Sequence, residues 1–173
     1  DGWNRSSIIK ISAAVTSVFL AFFICLLTMN HWKDQGLRYE ELNYLTRPYR
    51  SVFLSSVLIG TAGGTLDTVI TVIATLEELT KRQPEITAKQ LWLSGRQVGR
   101  DVIGSMTNIL LFVYISGSVP SLLLYLGNQW SFKETIEQHL SLEFLRVIAG
   151  SLGIVLSIPI SVLFFLTVRR LKR

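Results

Sequence analysis

At 173 residues the chain has the length of one compact domain, but 49% hydrophobic residues, 17% charged residues and a mean hydropathy of +0.43 are high for a soluble protein. Its net charge of +5 raises nucleic acid as a partner; the basic residues gather at the ends of apolar runs, which disfavours that reading. One cysteine, Cys25, lies inside an apolar run and provides neither a disulfide framework nor a thiolate metal site.

The first span is expected at about residues 11–29, within the charge-free stretch between Lys10 and His31. A helix needs roughly 20 apolar residues to cross roughly 30 Å of hydrocarbon. His31 to Arg50 then forms a polar connection in which Trp32, Tyr39, Tyr44 and Tyr49 suit the headgroup level. The second span covers about 52–76 and is interrupted by one charge, Asp67. After Pro84, Thr87-Ala-Lys-Gln90 has the form of a capping box, in which side chains satisfy the orphan N–H groups of a helix start. The helix it opens mixes Lys89, Arg96 and Arg100 with Leu91, Trp92, Leu93 and Val98, and is expected along the membrane surface.

The third span, about 102–126, belongs to a charge-free stretch from Val102 to Phe132. As a straight helix that stretch would measure roughly 46 Å. Ser116-Gly117-Ser118-Val119-Pro120 therefore marks an expected break. Ser131-Phe-Lys-Glu134 is a second capping-box form, followed by Phe132, Ile136 and Leu140 at every fourth position. That pattern predicts a short helix on the other membrane face. The fourth span covers about 145–168.

The fold class is thus all-α: a polytopic helical membrane protein with four transmembrane helices, one interfacial helix on each side and a single transmembrane domain over 1–173. Placing the terminal Arg169, Arg170, Lys172 and Arg173 in the cytoplasm also puts Arg5, Lys10, Lys81, Arg82, Lys89, Arg96 and Arg100 inside, leaving only Lys33, Arg38, Arg47, Arg50, Lys133 and Arg146 outside. This asymmetry predicts cytoplasmic N- and C-termini. The chain starts at Asp1 rather than Met, and is expected to be a piece of a longer protein.

Two rows of residues stand out. On the second span, Gly60, Gly63, Gly64, Asp67, Thr71, Thr75 and Glu78 recur at spacings of three and four, so one helix face is small and polar. A charged carboxylate at mid-membrane costs at least ~2.5–3.5 kcal/mol, so Asp67 must meet protein, water or a partner. It is a candidate carrier of a proton or cation. The alternatives are a protonated Asp bonded across helices and an Asp paired with an Arg. By depth Asn108 lies near Asp67, while Arg100, Asp101, Glu77 and Glu78 fall at the inner mouth. Glycines such as Gly63 and Gly64 allow local unwinding and exposed carbonyls. On the fourth span, Ala149, Gly153, Ser157 and Ser161 place a small residue at every fourth position, the pattern of close helix packing, as does Gly60 with Gly64.

Several chemistries lack their residues. His31 and His139 have no acidic or Cys neighbours at ligand spacing, and neither a phosphate-cradling glycine loop nor a G-x-S-x-G elbow occurs. No enzyme activity, metal or cofactor is expected.

Gly64-Thr-Leu-Asp67, Thr75-Leu-Glu-Glu-Leu79, Ser94-Gly-Arg-Gln-Val-Gly-Arg-Asp101, Met106-Thr-Asn-Ile-Leu-Leu-Phe112 and Arg146-Val-Ile-Ala-Gly-Ser-Leu-Gly153 occur in order. Together they resemble the YibE/F-like family of bacterial multi-spanning membrane proteins, over about Leu54 to Leu166. The resemblance implies a bacterial cell membrane location and further spans upstream. It also implies a related membrane subunit, or a second copy, as partner in the bilayer. The functional expectation is a transporter or permease subunit for a small polar solute or ion of unknown identity. The alternative is a non-transporting assembly subunit of a membrane complex.

Overall fold

The computed structural model describes residues 5–31, 33 and 49–170, with the side chains of residues 5, 6, 138 and 139 outside that description. The aromatic connection expected at Trp32, Tyr39 and Tyr44, the side chain of His139 and the terminal Lys172 and Arg173 therefore lie outside the described residues. Four helices follow one another: α1 (Arg5–His31), α2 (Tyr49–Arg82), α3 (Ala88–Gly127) and α4 (Phe132–Arg170). Each is long and apolar enough to cross a membrane, which makes the chain a multi-pass membrane protein.

The Thr87 capping box forms in full and Ser131 caps the next helix through its side chain, but both open the spans themselves. Thr87 Oγ1 accepts from the Gln90 N–H at 3.3 Å and Gln90 Oε1 accepts from the Thr87 N–H at 2.9 Å. Ser131 Oγ accepts from the Glu134 N–H at 3.2 Å. The expected surface helices are thus the first turns of α3 and α4 rather than separate elements. The physical reason is that neither junction, at Arg100-Asp101-Val102 or Leu142-Glu143-Phe144, carries a Pro to interrupt the ladder, and Gly99 and Gly104 beside the first keep their helical backbone N–H groups. Forty residues of α3 span roughly 60 Å, more than a bilayer's hydrocarbon needs, so its first turn, with Lys89, reaches the headgroups without a separate surface helix. Nor does α3 break at 116–120. Pro120 lies inside the continuous helix, withholding only its own missing N–H, and Ser118 Oγ donates to the Tyr114 carbonyl at 3.0 Å.

The helices run up and down. Tyr114 and Leu110 of α3 lie against Gly60 and Gly64 of α2, in antiparallel register, while Thr61 and Thr65 of α2 meet Gly153 of α4 in parallel register. α4 touches each of the other three; α1 and α3 do not touch each other. Hydrophobic clusters fill the two ends. One gathers Ile9, Val69, Ile73, Leu76, Leu91 and Val162, the other Cys25, Met29, Phe53, Val57 and Leu142. Between them the waist is built from small buried residues, Ser17, Ala21, Thr61, Thr65 and Ser157. Lipid tails are as apolar as Leu, so helices in a membrane gain more from close backbone packing than from hydrophobic burial.

That packing is set by glycine at Gly153. A Cβ there would stand 2.5 Å from Thr61 Cγ2 and 2.8 Å from Thr65 Oγ1, distances that carbon and oxygen do not tolerate. The α4 row turns inward accordingly, with Ala149, Gly153, Ser157 and Ser161 all buried. Its hydroxyls bond their own helix, Ser157 Oγ to the Ile154 carbonyl at 2.7 Å and Ser161 Oγ to the Ser157 carbonyl at 2.6 Å, which removes the cost of burying them.

Candidate functional site

The small polar face of α2 is divided: Gly60 and Gly64 pack inward, Gly64 against Ile154 of α4, while the rest points outward. Thr61, Thr65 and Thr68 fill the inward side, leaving Gly63, Asp67 and Thr71 exposed on the outside of the four-helix unit. Helical geometry sets this division: at 3.6 residues per turn the row at 63, 67 and 71 centres roughly 130° round the helix from the row at 61, 65 and 68, so packing the second on α4 turns the first outward. The Asp67 carboxylate makes no hydrogen bond or ion pair with another described residue. The Thr71 hydroxyl donates to the Asp67 carbonyl at 2.8 Å, and the Thr75 hydroxyl to the Thr71 carbonyl at 2.8 Å. With their protons directed into the backbone, these oxygens have only lone pairs to offer a ligand.

α3 continues this exposed polar character. Gly60 gives up its side-chain space to the Tyr114 hydroxyl, and Gly64 lies 3.8 Å, from the position of a Cβ, to Leu110. The antiparallel register set by these two contacts brings the Asp67 level of α2 to the Asn108 level of α3. Asn108 and Ser105 are exposed there, and no atom lies within 4 Å of where a Cβ would stand at Gly63 or Gly104. Only 6% of the most apolar α3 window is buried, against 50% for α4, so α3 is the open edge of the unit.

The acidic and basic groups at the end carrying Lys10 and Arg82 do not form one cluster. Glu77 pairs with Lys10 at 3.4 Å, tying the start of α1 to the end of α2. Glu78 pairs with Arg82 on its own helix at 2.8 Å. Arg100 lines a groove between α3 and α4 together with Trp92 and Arg96, while Asp101 is exposed. Cys25 is buried beside Met29, its sulfur 3.9 Å from the Met29 sulfur. Among the described residues no three His, Cys, Asp or Glu side chains converge as metal ligands.

A second polar assembly was not singled out by the sequence. Arg146 of α4 pairs with Glu143, donates from Nε to Ser56 Oγ of α2 at 2.9 Å, and lies 5.1 Å from the centroid of the Phe53 ring. The pair is largely enclosed, at 11% and 17% side-chain exposure. The available signal was an Arg followed by an unbroken apolar run, three residues after a Glu, a spacing that places both on one helix face.

Comparison with curated proteins and with solved structures gives no match. A family model does match, and it takes in α1 and Asp1 to Asn30, beyond the stretch on which the motifs rest. Its match covers residues 1–170, and the chain belongs to the YibE/F-like protein family.

Proposed function

We propose that this chain is a membrane subunit of a transporter for a small polar solute or ion, and that its path runs between subunits rather than through the four-helix unit. The observation that carries this reading is the exposure of Asp67 on α2, beside Gly63 and Thr71 and level with Asn108. A carboxylate facing lipid at that depth is costly, so the face calls for a second membrane subunit or a second copy to cover it. The groups on offer are mainly acceptors: a carboxylate, a hydroxyl whose proton is already given away, and an amide. They suit a cation or a proton better than an anion. Asp67 then carries the charge, Thr71 and Asn108 line the path, and no redox cofactor or covalent chemistry is invoked. The cytoplasmic side is the end bearing Lys10, Arg82, Arg96 and Arg169, by the excess of basic residues there.

The test is flux in liposomes holding the full assembly, with a pH-sensitive dye inside and Na+ or K+ gradients imposed. Asp67→Asn is expected to abolish coupled proton or cation movement while the assembly stays intact. Unchanged flux in the Asn variant would remove Asp67 as carrier.

The open sides of Gly63 and Gly104 favour a second reading, a scaffold subunit whose α2–α3 face simply docks a partner helix. It predicts that Gly63→Leu separates the complex, whereas no gradient drives flux through either the parent protein or Asp67→Asn.

A further inference from the structure

Gly95 and Gly99 bring the α3 backbone against α4. A Cβ at Gly95 would stand 2.5 Å from Val162 Cγ2, and one at Gly99 2.6 Å from Ile158 Cδ1. Val162 and Ile158 precede Arg169 by seven and eleven residues, so this stretch of α3 stands roughly 10–16 Å inside the end of the apolar α4 run. Beside this contact, Trp92, Arg96 and Arg100 follow one another at every fourth position and form one wall of a groove. Val155, Pro159 and Val162 of α4 supply its apolar floor, and the groove holds about 280 Å³. Arg96 and Arg100 are exposed, and among the described residues no carboxylate lies within 4 Å of either. Two exposed guanidiniums one turn apart beside an apolar floor favour an anion in the groove, and Asp101, next in sequence to Arg100, makes no ion pair with them.

We propose that this groove binds an anionic phospholipid. Its phosphate lies between the Arg96 and Arg100 guanidiniums, which match phosphate geometry in a planar fork. One acyl chain runs inward from it along Pro159 and Val155, and Trp92 lies one turn nearer the headgroups, where amphipathic rings are favoured. Basic pockets between spans are a general means of anionic-lipid recognition. The site stands apart from the Asp67 face and does not depend on the transport reading.

The experiment uses the full chain in lipid nanodiscs, with Trp3→Phe, Trp32→Phe and Trp130→Phe leaving Trp92 as the sole tryptophan, excited at wavelengths the tyrosines do not absorb. Brominated phosphatidylglycerol or brominated phosphatidylcholine is introduced into a phosphatidylcholine background, and Trp92 quenching is titrated. Phosphatidylglycerol is expected to bind more tightly by roughly fivefold per guanidinium. Arg96→Gln with Arg100→Gln should abolish the preference, Arg96→Lys with Arg100→Lys should keep part of it, and Lys81→Gln with Arg82→Gln should leave it unchanged. Helix content by circular dichroism checks that each variant folds. Equal quenching by the two lipids in the parent protein overturns the proposal without recourse to any variant. So does a preference that survives the Gln pair, displacement of the lipid by millimolar inorganic phosphate, or a Trp92 shielded from both lipids by a protein partner.

Discussion

Arg146 Nε donates to Ser56 Oγ at 2.9 Å, joining α4 to α2 across ninety positions of sequence. The same guanidinium pairs with Glu143 and lies against the Phe53 ring, so one side chain holds three partners in a largely enclosed place. Removing it strands the carboxylate. Arg146→Met is expected to cost about 2–3 kcal/mol, somewhat below a fully buried pair because both groups keep some exposure. Arg146→Met with Glu143→Met should recover much of that loss, since no orphan charge remains. Reversible unfolding in mixed micelles measures both; a double variant as weak as the single one would contradict the account.

The glycines divide sharply by what stands beside them. Gly153→Ala is expected to destabilise the unit by about 1–3 kcal/mol, because Thr61 and Thr65 occupy the space of the new methyl group. Gly63→Ala and Gly104→Ala meet open space and should raise helix stability by up to about 1 kcal/mol in the isolated chain. Thermal unfolding of the purified chain separates the two classes, and a costly Gly63→Ala in the absence of partners would show that the α2 face is covered from within.

Much of this was legible in the sequence, and the residues show why. Charge-free runs located four spans because lipid tolerates few charges, and Thr87 with Gln90 and Ser131 with Glu134 announced two helix starts through local chemistry alone. The period of 3.6 likewise placed Gly63, Asp67 and Thr71 on one face. It did not say which face meets α4, since Thr61, Thr65 and Thr68 form an equally small row on another side of the helix. Choosing between two such rows takes the partner helix, and Gly153 is ninety residues away from the region it selects. The expected surface helices failed for a related reason: charge at Lys89, Arg96 and Arg100 says that headgroups are near, not where a helix ends.

Thr87→Ala removes the oxygen that receives the Gln90 N–H. The expected loss is about 1 kcal/mol, confined to the start of α3. Hydrogen exchange read at residues 88–91 should speed up roughly fivefold for that energy, with residues 105–120 unchanged. Uniform acceleration along α3 would mean that the cap supports far more than the first turn.

The transport reading makes a claim about water. In a Cys25→Ala background, Asp67→Cys within the assembled complex is expected to react with a charged, membrane-impermeant thiol reagent, as is Asn108→Cys. Thr68→Cys, on the buried side of α2, should stay inert. Mass spectrometry of the labelled chain decides the matter, and protection of all three positions would favour a dry, docked face.

The central position of α4 bears on how the molecule is made. Three helices share α4 as their common neighbour, yet it leaves the ribosome after the other three. Until α4 is released into the bilayer, Thr61 and Thr65 lack the glycine they close upon, and α3 has α2 alone to lean on. Biogenesis therefore leaves an interval in which three helices are inserted but not yet assembled, a window in which an insertase or a membrane chaperone would find its client.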